Sequence, residues 1–423
     1  MPSPSPPNDH ADWATLGRQR RPRRPEPKEP GSAARIQKRD SEPDFTIPLP
    51  ERMPGTFSSD EKRARHRRRA RSARQPGSAY TTSVQGDSDY TVIVVTHNHA
   101  ETLSACFDAV AALEPPPTEI VVVDNASLDG SAELVETRTD TGLRLFREST
   151  NTGFAAAINR GLAETTAPWV LLLNPDCAPK SDFVAQMLAA AERTPNPNEI
   201  GSITGRLIRS TDAALNPGRV LDAAGMVVTS SGRHFDRGAG EPDDGRYLEP
   251  AWVFGGTGAA SLYRRSALAD VAYPDGQILA ESFFAYREDA ELAWRLQWRG
   301  WRCLYAPDAV AAHGRGFQPE GGRRGHATIN RLSVRNRFLL RIHCADLGWH
   351  LRCFPWWKLR DLLVIGACLT IESSSLPALT EVWRGRSDAL ARRRWVLSRR
   401  KAPSRRISRW FRKRHQVEVM EEH

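Results

Sequence analysis

Residues 90–131 read YTVIVVTHNHAETLSACFDAVAALEPPPTEIVVVDNASLDGS, and this stretch decides the fold. Its two apolar runs, Tyr90–Thr96 and Glu119–Asp124, are rich in β-branched residues on both faces, as strands buried in a parallel sheet are. Residues 101–113 between them have a helical pattern, so the stretch is a strand–helix–strand unit. The rhythm continues outward. Residues 143–146 (LRLF) and Trp169–Leu173 (WVLLL) are the next strands, and 131–138, 154–164 and 181–193 are the accompanying helices. Such alternation gives a parallel sheet with right-handed crossovers, an α/β fold of nucleotide-binding type. Thr96-His97-Asn98-His99 stands where a dinucleotide fold would carry GxGxxG, and no P-loop occurs, which argues against a nicotinamide dehydrogenase.

Beyond this core, residues 200–316 read as a smaller mixed region, with strands near 200–208, 258–263, 303–305 and 309–312 and a helix over 289–299. From residue 329 onward the chain turns into Arg/Trp/Leu-rich helices. Residues 1–88 are rich in Pro and Arg with little apolar clustering, and too little buried surface is available there to offset chain entropy, so disorder is expected. The whole chain has 423 residues and a formal charge of +10, but the charge is concentrated in two arms. Residues 62–74 hold eight Lys/Arg and no acid, and 384–414 hold fourteen against Asp388 alone. Basic arms on a mildly acidic body fit contacts with nucleic acid or an anionic membrane, or simply solvated charge. Six scattered cysteines form no CxxC, which argues against a disulfide scaffold or a structural zinc site. A mean hydropathy of -0.51 and the lack of a spanning apolar run argue against a polytopic membrane protein.

Ligands of open parallel sheets bind beyond the carboxyl ends of the strands. Four such ends are polar here: Thr96 and Asn98; Asp124, Asn125 and Ser127; Asn151 and Gly153; Asn174 and Asp176. In a parallel sheet they converge on one rim. Asp124 suits the imide N–H of a uracil or thymine base, or a helix cap, and Asp129 is the better cap candidate. Asp176 directly follows a buried strand, where a carboxylate is costly unless paired or bound to metal, although Asn-Pro-Asp also reads as a turn. Glu288 and Asp289 open a helix, where the dipole favours acids. His313 ends an apolar run and by itself reads as a structural histidine. Gly256 and Thr257, within GGTG at 255–258, lie on a segment flexible enough for backbone to approach a donor or acceptor.

Taken in order, 92–98, VVVDNASLDGS (121–131), NTGFAAAINRG (151–161), LLLNPD (171–176), GGTGAASLYRRSAL (255–268), FFAYREDAELAWR (283–295) and APDAVAAHG (306–314) resemble the inverting family 2 glycosyltransferases, most closely their rhamnosyltransferase-like branch. The resemblance implies a GT-A fold over 89–330, followed by a basic helical region over 331–414 and a tail at 415–423. It implies Asp124 near the base, Asp176 and His313 as ligands of Mg2+ or Mn2+, and Asp289 as general base. Thr96, Asn98, Asn125, Ser127, Asn151, Gly153 and Asn174 fall on the donor side, and Gly256, Thr257 and Glu288 on the acceptor side. The implied activity is metal-dependent, inverting hexosyl transfer in cell-envelope polysaccharide synthesis. The favoured donor is dTDP-rhamnose, with a UDP-sugar second, and the acceptor is a glycan or a polyprenyl-linked sugar. Two departures stand out: Asn174-Pro175 replaces further aspartates, and Leu279-Ala280-Glu281 replaces Phe-Asp-Glu.

Two other functions compete: nucleic-acid binding through the basic arms, for which no recognition motif is present, and an inactive glycan-binding relative. The set Asp124, Asp176, Asp289 and His313 speaks against the second. Trp349, Phe354, Trp356 and Trp357, the apolar residues 362–371 and the following arginines fit a peripheral position at the cytoplasmic face of the membrane. The competing reading is that these helices pack on the catalytic domain.

Overall fold

The computed structural model describes residues 88–314, 327–412 and 416–419. The disorder expected over 1–88 falls on residues that, but for Ser88, lie outside the described ones, as do the basic run 62–74, most of the tail and 315–326. Strand β1 (Tyr90–Thr96) leads to helix α1 (Ala100–Ala111), β2 (Glu119–Asp124), α2 (Ser131–Glu136), β3 (Leu143–Arg147), α3 (Phe154–Ala163) and β4 (Trp169–Leu173). These strands pair in parallel in the order β3-β2-β1-β4, with Thr96 opposite Asp124 and Asp124 opposite Arg147. The aligned register puts the polar strand ends on one rim. Strands β1, β2 and β4 are buried almost end to end, which is why they read as unbroken apolar runs, while β3 alternates as the edge strand.

The second half extends the same sheet. Strand β5 (Cys177–Pro179) and helix α4 (Phe183–Glu192) precede β6 (Ile200–Arg209), and three-residue strands follow: β7 (Leu221–Ala223), β8 (Met226–Val228), β9 (His234–Asp236) and β10 (Ala251–Val253). Then come β11 (Ala260–Arg264), α5 (Arg265–Val271), α6 (Glu288–Arg299) and β12 (Arg302–His313). Strand β11 is antiparallel to both β4 and β6, and it joins the parallel half to the mixed half. The strands expected at 303–305 and 309–312 are one strand. It pairs in parallel with β6 and shifts register between Ala306 and Val310, where Pro307 cannot donate to the ladder. Gly205 permits this: a Cβ there would stand 2.4 Å from the Ala309 carbonyl oxygen.

The C-terminal helices are α7 (Ala327–Cys344), α8 (Leu347–Cys353), α9 (Trp356–Thr370), α10 (Leu376–Arg384), α11 (Arg386–Ser398) and α12 (Ser404–Trp410), followed by the short strand β13 (Glu418–Val419) on β10. They enter the core rather than merely flank it. Trp294 of α6 packs on Phe411 at 4.8 Å and on Trp349 at 5.7 Å between ring centroids, and Trp298 Nε1 donates to the Cys344 carbonyl at 2.8 Å. Trp349 is therefore wholly buried and is not available to a membrane boundary, contrary to the sequence expectation. Helix α9 behaves differently. Trp356, Leu359, Leu362, Leu363 and Leu369 are each more than half exposed, and Phe354 and Ile371 beside it likewise. No single helix among the described residues is long and apolar enough to cross a membrane; Trp356–Thr370 and Ser373–Arg384 are bent by 112°.

Candidate active site

The rim above β1, β2 and β4 is a collar of side chains that fix one another. Asn98, at φ 59°, accepts from the Leu128 N–H through Oδ1 (2.8 Å), and its own N–H donates to Ser127 Oγ (3.0 Å). Asn125 donates to Asn151 Oδ1 (3.0 Å) and accepts from the Thr152 N–H (2.9 Å). Asp129 accepts from the Ala100 N–H (2.9 Å) and the Ser131 N–H (3.0 Å), so one carboxylate serves the N-termini of both α1 and α2. Asp124 Oδ2 accepts from the Ser127 N–H (3.2 Å), in the manner of a cap. Asp124 Oδ1 and Thr96 Oγ1 are buried without a hydrogen-bond partner. An unsatisfied carboxylate oxygen at a strand end is expensive, and a ligand N–H would satisfy it.

At the end of β4, Asp176 and His313 come together across the sheet: His313 Nε2 lies 3.3 Å from Asp176 Oδ1. The other ring nitrogen, Nδ1, lies 2.7 Å from Asp222 Oδ2. Burial alone would strip the imidazole of its proton, but hydrogen bonds to Asp176 and Asp222 outweigh it and lift His313 to about 9. Sequence reading missed Asp222, which sits in a three-residue strand in an otherwise unremarkable Leu-Asp-Ala. Asn174 stands at the same rim, its N–H donating to the Ala259 carbonyl (2.8 Å).

Asp289 occupies the first turn of α6 and lines a cavity of about 470 Å³ with His234, Asp236 and Glu241. Burial is the main force holding its carboxyl up, to about 6. Asp236 adds to this, while Arg287 and the N–H groups of Ala290 and Gly258 oppose it. Glu288 is raised further, by burial and then by Asp289, so it is the member of the pair that keeps a proton. Gly256 packs on Ser261, and Thr257 Oγ1 accepts from the Ala259 N–H (2.9 Å), which shapes the backbone facing Asp289 at Gly258.

The loop before α6 is strained. Phe284, Tyr286 and Arg287 have φ of 63°, 70° and 76°, a left-handed region that side chains rarely adopt. It is clamped from α7: the Asn336 amide nitrogen lies 2.8 Å from each of the Phe283, Ala285 and Tyr286 carbonyl oxygens, and Arg335 Nη2 donates to Ser282 and Phe283 (both 2.9 Å). Phe284 also rests on Gly153, where a Cβ would meet its ring at 2.5 Å, and its carbonyl accepts from the Ala155 N–H (3.1 Å). The donor-side collar and the acid-bearing helix therefore touch. Asn336 carries no sequence signal, being one polar residue in an Arg-rich helix.

Asp289 thus lines a cavity beside the buried Glu288, and the sheet's rim brings Asp176 and His313 together. The profile of glycosyl transferase family 2 matches residues 91–272 of this chain. The chain is 26% identical over 307 residues to the N-acetylglucosaminyl-diphospho-decaprenol L-rhamnosyltransferase of Mycobacterium tuberculosis, covering 67% of this chain and 93% of that one. It is 25% identical over 222 residues to a poly-beta-1,6-N-acetyl-D-glucosamine synthase of Staphylococcus aureus, covering 52% of this chain and 48% of that protein. Among solved structures, a mannosyltransferase from Pyrobaculum calidifontis in complex with GDP-Man and Mn2+ aligns at 21% identity and a TM-score of 0.42, over 79% of this chain and 90% of that one.

Proposed function

We propose that this protein is an inverting hexosyltransferase that moves a sugar from a nucleoside diphosphate to a sugar carried on a polyprenyl diphosphate. The observation that carries the reading is Asp289, raised by burial to about 6 and facing a cavity large enough for an acceptor sugar. The acceptor hydroxyl attacks the anomeric carbon, its proton passes to Asp289, and the bond to the nucleoside diphosphate breaks on the opposite face. Inversion follows from that single displacement. Asp124 Oδ1, buried and without a partner, suits the imide N–H of a thymine or uracil base. The preferred donor is dTDP-rhamnose, with a UDP-sugar second.

Asp176 and His313 fit a divalent ion. His313 Nε2 and Asp176 Oδ1 lie 3.3 Å apart, so a metal would take the place of the proton the pair now shares, and Asp222 on the other ring nitrogen would orient the imidazole as second partners of metal-bound histidines do. Among the described residues no third acid, histidine or cysteine joins them as a ligand group, so the diphosphate and water would complete the set. Bound Mg2+ or Mn2+ would supply counter-charge to the departing diphosphate. The exposed apolar face of α9 and the exposed Arg352, Lys358, Arg384 and Arg386 support a peripheral position on an anionic membrane surface, at the cytoplasmic face, where a polyprenyl-linked acceptor would be held.

The test is a panel of nucleotide sugars against wild type and Asp289→Asn. The amide keeps the volume but takes no proton, so transfer should fall ~10²- to 10⁴-fold with donor affinity retained. Wild-type turnover by Asp289→Asn would remove it from the mechanism.

A further inference from the structure

Helix α7 buries two arginines, Arg337 and Arg341, one turn apart on one face, with side chains 5% and 7% exposed. One carboxylate answers both: Asp361 of α9 lies 2.6 Å from Arg341 Nη2 and 3.6 Å from Arg337 Nε. Arg360, the residue before Asp361 on α9, brings its charge to Arg337 as well, and burial together with the nearby guanidiniums of Arg341, Arg360 and Arg233 lowers Arg337 to about 10. Arg337 Nη2 donates to the Ser231 carbonyl at 3.3 Å, a long bond. Arg341 Nε and Nη1, Arg337 Nε and Arg360 Nε are buried with no hydrogen-bond partner. A buried cation without a matching anion is costly, and here two buried guanidiniums share one aspartate while a third, Arg360, adds its charge beside Arg337. The cluster is deficient in negative charge and rich in N–H groups of the fork geometry that suits phosphate oxygens.

Its surroundings identify the anion. On one side the turn between β8 and β9 lies against it: the Gly232 backbone approaches Arg341 Cδ, and two residues on, His234 lines the cavity that holds Asp289 and meets Arg287 Nη1 at 3.3 Å. On the other side α9 presents the exposed Leu359, Leu362 and Leu363. The arginines thus stand between a sugar-sized cavity and an apolar helix face. We propose that Arg337, Arg341 and Arg360 form a subsite for the diphosphate of a lipid-linked acceptor, with the acceptor sugar in the Asp289 cavity and the prenyl chain along α9. The assignment rests on the transfer proposed above for its biological sense. It adds a second diphosphate site, separate from the one at Asp176 and His313.

The test is calorimetric binding of farnesyl diphosphate to the full chain, alongside inorganic pyrophosphate, farnesol and dTDP. Wild type should bind farnesyl diphosphate more tightly than either half-ligand. Arg337→Gln and Arg341→Gln should each weaken it about 10-fold or more, leaving dTDP binding unchanged, and Arg337→Lys, which keeps the charge but loses the fork, should recover only part of the affinity. Asp361→Asn removes the one competing anion and should tighten binding, an effect that loss of folding cannot mimic. Unchanged affinity in Arg337→Gln, equal binding of pyrophosphate alone, or parallel loss of dTDP binding would each overturn the subsite. If no nucleotide sugar turns over while farnesyl diphosphate binding stays dependent on Arg337, the subsite stands and the transferase reading falls.

Discussion

Replacing Asn336 by alanine removes the clamp on the loop that delivers Asp289. The Asn336 amide nitrogen is shared among three carbonyls at 2.8 Å, and the residue is fully buried. It has two N–H groups to give, each worth about 0.5–1.5 kcal/mol net, and the carbonyls it leaves have no access to water, so the loss is about 3 kcal/mol. The three left-handed residues it restrains, Phe284, Tyr286 and Arg287, each store about 1 kcal/mol of backbone strain. The two quantities are comparable, so without the clamp the loop gains by relaxing. Arg287 is the residue before α6, and any relaxation moves the first turn that carries Asp289. A displacement of about 1 Å at a reacting group costs up to ~10²-fold in rate. Asn336→Ala should therefore lower kcat by about 10- to 100-fold and Tm by roughly 4 °C for a chain of this size. Asn336→Asp, of equal size but without N–H donors, should do no better. Steady-state kinetics with thermal unfolding decide it. A lowered Tm with unchanged kcat would show that the loop holds its shape unaided, and the positioning argument would be wrong.

Three further outcomes follow from the site and the C-terminal face. EDTA should abolish most activity, and Asp176→Ala should weaken donor binding measured with Mn2+ present; full activity under both conditions would refute the assignment of Asp176 and His313 to a metal. Because Asp289 must be ionised to act and is held up to about 6, kcat/KM should fall as pH drops through that value, and Asp236→Asn, which removes a neighbouring negative charge, should move the acid limb to lower pH. Full-length protein should pellet with anionic vesicles at low salt and release at high salt, while Leu362→Glu with Leu363→Glu should stay soluble; equal pelleting of the double variant would place the contact elsewhere.

The parallel half was legible because β1, β2 and β4 are buried on both faces, which forces continuous apolar runs. Strands β7, β8 and β9 were not, since three residues cannot display a period. The same limit hid Asp222, whose only mark is the partner it meets 91 residues away. Asp124, Asp176, Asp289 and His313 could be singled out because each stands at or just beyond the end of a regular element, where polarity interrupts a pattern, while the roles given to them came from the resemblance. The C-terminal region misled through composition. The arginines of 384–414 could be read as solvated charge, yet Arg392 among them is buried, and Trp349, read as a boundary residue, is core. Amphipathic cations and indoles suit either environment, so only packing decides.

The aromatic plug also sets a timetable for synthesis. Phe254 and Trp294 are completed by Trp349, Trp410 and Phe411, and the sheet's last partner for β10 arrives with β13. A nascent chain can assemble β1 to β4 early, but until residue 411 has left the ribosome the indole of Trp294 faces an open wound in the hydrophobic interior. The parallel half can thus take shape well before the helix bearing Asp289 is packed against its last aromatic partners.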